Sequence, residues 1–140
     1  MAEIVKSPNR VIIKKIGVDA PIIEAPESEL NTALNKGAWR MPQTSTPEKG
    51  SNTVISAHRF KYLPPNNLTF YLLDKLAVGD IVNVIWENKE YDYRVVESKI
   101  VLPTEISILD ATDKPILTLF TCDPIWSQDK RLVVIGELIE

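Results

Sequence analysis

Short β-rich runs broken by turn residues recur from one end of this chain to the other. Residues 9–16, 20–24, 53–57, 81–86, 90–102, 116–122 and 131–138 gather Val, Ile, Leu, Thr and aromatic side chains. Ten prolines and five glycines punctuate them, and such residues mark turns and loops. These seven runs point to about eight short, closely spaced strands, a pattern that fits a β-barrel or sandwich. Helical spacing is scarce. Leu30, Ala33 and Leu34 suit a helix starting after Pro26, with Ser28 as its cap and Lys36-Gly37 as its end. Residues 70–76 read as a second short helix and 105–109 as a single helical turn. The expected fold is mainly β: one barrel-like domain over residues 1–140, with one or two small helices outside. Residues 41–51 and 61–67 are expected to be loops, and 87–89 a hairpin tip.

The chain of 140 residues suits a single domain. A formal net charge of -3 lacks the basic footprint of a nucleic-acid binder. One cysteine rules out an intrachain disulfide, and one cysteine with one histidine falls short of the four ligands of a structural zinc site. Glu48, Glu105, Asp110 and Asp113 are scattered, so no cofactor is expected and calcium is not supported. No run of ~18 apolar residues is present to span a membrane. Met1-Ala2-Glu3 reads as an engineered start, with a membrane anchor removed upstream.

The two final strands carry the chemistry. Cys122 ends one and Arg131 opens the next. If they pair as an antiparallel hairpin, the loop is 123–130 and Cys122 faces Arg131 at its mouth. Directly opposed residues share a face, with Cβ atoms about 4.5–5.5 Å apart; a slip of one residue would separate them. A guanidinium there favours thiolate over thiol and stabilises negative charge on an attacked carbonyl oxygen. Arginine suits this role because its charge is permanent and its donors are planar. The chain's one histidine, His58, closes an earlier strand and supplies a group that ordinarily titrates near neutral pH. Thiol, imidazole and guanidinium are the parts of a cysteine acyl-transfer site. With ordinary acidities, a thiol and an imidazole coexist as thiolate and imidazolium in only a small fraction of molecules, so slow turnover and a bell-shaped pH profile are expected.

These residues resemble the sortase family. Thr118-Leu119-Phe120-Thr121-Cys122 is similar to its Thr-Leu-any-Thr-Cys signature, and Arg131-Leu132-Val133-Val134 to its arginine-led eighth strand. Val54-Ile55-Ser56-Ala57-His58-Arg59 resembles a strand ending in Gly-His-Arg, with Ala57 in place of the glycine. Residues 73–80 resemble the helix-and-turn segment that follows. The resemblance implies an eight-stranded β-barrel and a membrane-attached cysteine transpeptidase on the outer face of Gram-positive-type bacteria. It implies cleavage of a Leu-Pro-any-Thr-Gly sorting motif between Thr and Gly. The acyl group would be held as a thioester and passed to an amine of a cell-wall precursor or a pilin lysine. It makes Cys122 the nucleophile, His58 the acid/base and Arg131 the carbonyl-stabilising cation, with Thr121 lining the site against substrate. The short, helix-poor chain without an N-terminal lid leans towards class D or E.

Other readings compete. A cysteine peptidase of another family would hydrolyse rather than transfer, and a non-catalytic barrel would only bind extracellular peptides. Trp126, in the loop between the last two strands, is a candidate substrate contact, since exposed loop aromatics often bind ligands. Trp39 and Trp86 are assigned to the core or partial core. Arg40 and Arg59 read as surface charges, with Arg59 a substitute cation if the hairpin register slips.

Overall fold

The structure, a computed structural model, describes residues 9–59, 67–123 and 129–139, with backbone only at Cys122 and Asp123. Eight strands form a closed barrel: β1 (Arg10–Ile13), β2 (Val18–Glu24), β3 (Ala38–Arg40), β4 (Asn52–Ser56), β5 (Ile81–Trp86), β6 (Lys89–Val101), β7 (Ile116–Asp123) and β8 (Lys130–Leu138). Their order around the barrel is β1-β2-β3-β4-β7-β8-β6-β5, with β5 pairing back onto β1. Two neighbours are parallel, β2 with β3 and β4 with β7. Parallel strands need a crossover. For β2 and β3 it contains the one α-helix among the described residues, α1 (Leu30–Lys36).

Alternation along the strands divides the apolar residues between two faces. Val11 and Ile13, Ile55 and Ala57, Leu117 and Leu119, and Leu132 and Val134 fill the barrel with Phe70, Leu73 and Tyr93. The intervening positions Val54 and Phe120 point outward. With Trp39, Met41 and Ala33 they form a second cluster beneath α1, joined by Leu30 and Leu34. The helix is therefore held by its apolar stripe rather than by a cap.

Several local expectations need correction. The first strand ends at Ile13, where a 3-10 turn over Lys14–Ile16 leads into Gly17 at φ 72. That left-handed backbone, which glycine adopts readily, reverses the chain into β2. Ser28 makes no capping hydrogen bond; residues Glu27–Glu29 form a 3-10 turn ahead of α1. Residues 70–76 hold only a 3-10 turn, Leu73–Lys75, because Phe70, Leu73 and Leu76 all point into the core at the three-residue spacing of that turn. Strand β3 was not foreseen: three residues are too few to show a period. The hairpin tip is two residues, since Lys89 already pairs with Trp86. Glu87 and Asn88 lie at φ 49 and 66, the signs of a type I′ turn that matches strand twist. Most of the expected 61–67 loop lies outside the described residues.

The connection from β6 to β7 is sewn to the barrel by β4. Buried Asn52 donates through Nδ2 to the carbonyls of Ile108 (2.8 Å) and Asp110 (3.0 Å) and accepts from the Thr118 hydroxyl at 2.7 Å. Ser51 Oγ donates to the Thr112 carbonyl and accepts from the Thr112 N–H. A 3-10 turn over Ile106–Leu109 is thereby fixed beside the outer cluster.

Candidate active site

Strands β7 and β8 pair in the expected register, with Cys122 opposite Arg131 and Asp123 opposite Lys130 as the next rung. Both strands run one residue further than the sequence suggested, so the connecting segment is 124–129. Trp126 falls outside the described residues. Arg131 is partly buried and donates from Nη1 to the Lys130 carbonyl at 3.1 Å.

His58 enters from β4. The parallel pairing of β4 with β7 sets Ser56 beside Phe120, so both strands deliver their C-terminal ends to the same rim of the barrel. Thr121 Oγ1 donates to the Ala57 carbonyl at 2.8 Å, and both residues are buried. The bond joins the residue before His58 to the residue before Cys122. Thr121 does border the cleft, but its hydroxyl is engaged with the barrel wall. Ala57, which stands where the resemblance would place glycine, packs its methyl in the barrel core at 3% exposure.

A cleft of about 230 Å³ opens on this rim, bordered by His58, Ser56, Thr121, Phe120, Arg131 and α1. It adjoins a second hollow of about 440 Å³. The two share Leu30, Trp39, Phe120 and Arg131. The far wall of the second is the Asn52-anchored turn, including Ile106, Ile108 and Leu109. Together they form a largely apolar groove that passes Arg131. Ser56, Phe120 and α1 join the site beyond the residues expected from the sequence. Alternation on β4 and β7 holds the signal for the first two, because positions 54, 56 and 120 are the outward ones.

Both arginines assigned to the surface are buried, Arg40 at 8% and Arg59 at 7% exposure. Each has carboxylate and carbonyl partners that compensate the lost hydration. Arg40 grips Glu24 through Nε (2.8 Å) and Nη2 (2.6 Å), donates to the Thr44 carbonyl and lies over the Trp86 ring. Arg59 donates from Nε to the Tyr71 carbonyl (2.8 Å) and from Nη2 to Asp74 (3.2 Å). With Cys122 and Arg131 in register, no substitute cation is called for. Trp39 and Trp86 are core residues as assigned, at 2% and 5% exposure. Among the described residues no group of three His, Cys, Asp or Glu side chains is arranged to hold a metal ion. None of the described helices is long and apolar enough to cross a membrane.

A closed eight-stranded barrel with these strand ends at one rim matches a known class of proteins. Residues 11–139 match the family model for the Sortase domain, and the chain belongs to the sortase family. It is 33% identical to Sortase A of Listeria monocytogenes over 109 residues, 77% of this chain and 47% of the relative. It is 27% identical to Sortase D of Bacillus subtilis over 131 residues, 91% of this chain and 61% of the relative. The chain thus spans about half to three-fifths of the length of these relatives. Among solved structures, Sortase C2 of Group B Streptococcus Pilus Island 1 superposes with a TM-score of 0.83 at 34% identity, covering 94% of this chain and 73% of that one. A Clostridium perfringens Sortase D5 transpeptidase superposes at 0.80 with 25% identity, covering 95% and 79%. The relatives carry the class letters A, C and D and leave the class of this chain open.

Proposed function

We propose that this chain is the catalytic domain of a cysteine transpeptidase that cleaves a Leu-Pro-any-Thr-Gly-type sorting motif between Thr and Gly. The observation that carries the reading is the hairpin register, which sets Cys122 opposite Arg131 at a rim where the same groove is bordered by His58. Membership of the sortase family and the resemblance of residues 118–122 to its signature support it.

In this mechanism the Cys122 thiolate attacks the threonyl carbonyl carbon, forming a C–S bond. Arg131 stabilises the negative charge that gathers on the carbonyl oxygen. The C–N bond breaks as His58, protonated, gives its proton to the departing glycyl amine. An acceptor amine then attacks the thioester, passes its proton to His58 and expels the thiolate. Atoms and protons balance over the cycle, and no metal or organic cofactor enters it. The acceptor is an amine of a cell-wall precursor or a pilin lysine. The enzyme works at the extracytoplasmic face of the membrane, tethered by an anchor outside this sequence, and surface proteins bearing the motif are its substrates.

The test incubates the protein with a sorting-motif peptide, with and without an amine acceptor, and separates the products by mass. A new peptide–amine product supports transfer. Water as sole acceptor under all conditions makes the protein a hydrolytic cysteine peptidase. Peptide binding without cleavage, unaltered by Cys122→Ala, makes it a binding barrel.

A further inference from the structure

Strand β4 ends at Ser56, whose ladder partners are Trp39 and Phe120. His58 therefore stands two residues beyond the last rung. Further interactions among the described residues hold the chain there. The Ala57 carbonyl accepts from Thr121 Oγ1 at 2.8 Å. The His58 carbonyl accepts from the Phe70 N–H at 2.8 Å. The Arg59 guanidinium donates to the Tyr71 carbonyl at 2.8 Å and to Asp74 at 3.2 Å.

The last of these is a costly device. A guanidinium at 7% exposure has lost most of its hydration and is tolerated only because its partners are well placed. Those partners belong to a segment that cannot easily shift, since Phe70, Leu73 and Leu76 anchor it in the barrel core. Arg59 thus bolts the residue after His58 to the core, while the Phe70 N–H holds His58 itself. A planar fork of donors meets a carbonyl and a carboxylate at once; the single ammonium of lysine meets them poorly.

We propose that Arg59 is a positioning residue for His58: by joining the exit of β4 to residues 70–74, it fixes where the imidazole stands in the groove. The proposal rests on the reading of His58 as acid/base. It gives the arginine a task separate from that of Arg131, which borders the groove.

The experiment compares Arg59→Ala, Arg59→Lys, Asp74→Asn and His58→Ala with the unaltered protein. It measures kcat and KM for a sorting-motif peptide, the thermal midpoint, and the imidazole NMR signals. The chain holds one histidine, so those signals need no assignment. Misplacing a catalytic group by about 1 Å costs on the order of 100-fold, so Arg59→Ala is expected to lower kcat roughly 10- to 100-fold with KM changed by less than about threefold. Its imidazole signals shift while the protein remains folded, and Arg59→Lys recovers part of both effects. Asp74→Asn gives a smaller change in the same direction. Should Arg59→Ala fail to fold, the lysine and Asp74→Asn variants carry the same readouts. Unchanged imidazole signals and kcat in the folded variants overturn the proposal, as does a loss of activity that only follows the unfolded fraction. His58→Ala separates the two levels. If it keeps full activity, the acid/base reading fails; if it is inactive while the folded Arg59 variants behave as wild type, the positioning role alone fails.

Discussion

The hydroxyl of Thr121 donates to the carbonyl of Ala57 across 2.8 Å of buried space. Each is the residue immediately before a candidate catalytic side chain, Cys122 in one strand and His58 in the other. One hydrogen bond therefore couples the two strand exits on which the proposed chemistry depends.

Thr121→Val keeps the shape and removes the donor. It strands a buried carbonyl, a loss of roughly 1–3 kcal/mol, and relaxes the spacing of the two exits. We expect a lower urea midpoint and a lower kcat, while Thr121→Ser stays near wild type in both. Equal losses in the valine and serine variants would assign the effect to the methyl group instead.

Arg131 stands opposite Cys122 and is proposed to meet the developing oxyanion. Removing one such donor typically costs about 10²–10³ in rate, so Arg131→Ala should lose that much kcat in a peptide-cleavage assay. Arg131→Lys should recover only a minor part, because the planar pair of donors is missing. Full activity in the lysine variant would reduce the role to that of a point charge.

Asn52 works at a distance from the chemistry. It holds the carbonyls of Ile108 and Asp110 and the hydroxyl of Thr118, and thereby one wall of the groove. Asn52→Ala leaves the buried Thr118 hydroxyl and two less buried carbonyls short of a partner and should cost roughly 1–3 kcal/mol. In the folded variant KM for a sorting-motif peptide should rise more than kcat falls. A kcat defect with unchanged KM would show that the wall does not meet the peptide.

Asp80 links stability to pH. Its carboxyl is held below the usual carboxylate range, chiefly by the hydrogen bond from Lys15 and also by the Ala77 N–H. A group depressed in the folded state stabilises it at pH above the unfolded value, near 3.8. That contribution disappears as pH falls through the lower folded value. Asp80→Asn should therefore be less stable than wild type at neutral pH and converge with it in strong acid, as thermal midpoints from pH 2 to 7 would reveal. Parallel curves over the whole range would contradict the linkage.

How much of this was legible in the sequence depended on length of pattern. The register of the final hairpin could be read, with Cys122 opposite Arg131, because two long apolar runs flank a short connection, although each strand extends one residue further into it. Strand β5 was likewise bounded correctly, by Asp80 and the Glu87-Asn88 turn. Strand β3 was invisible, since three residues between Gly37 and Met41 carry no period; its pairing with β2 on one side and β4 on the other defines it. Gly37 itself is required by a close approach, as a Cβ there would meet the Pro21 carbonyl oxygen at 2.5 Å. The two buried arginines were misread for a related reason. Their burial depends on Glu24 and Asp74, 16 and 15 residues away, and composition near each arginine says nothing of such partners. Thr121 is a subtler case: the family resemblance implied contact with substrate, and its bond to Ala57 exists only because β4 and β7 are parallel neighbours.

The central claim is that Cys122 forms an acyl bond with a sorting-motif peptide, and intact-protein mass spectrometry after incubation with that peptide tests it most directly. The account predicts an adduct equal in mass to the peptide up to its threonine less one water, located on Cys122, labile to hydroxylamine and absent from Cys122→Ala. Cleavage of the peptide with no such adduct even on rapid acid quenching, or with the activity intact in Cys122→Ala, would contradict it.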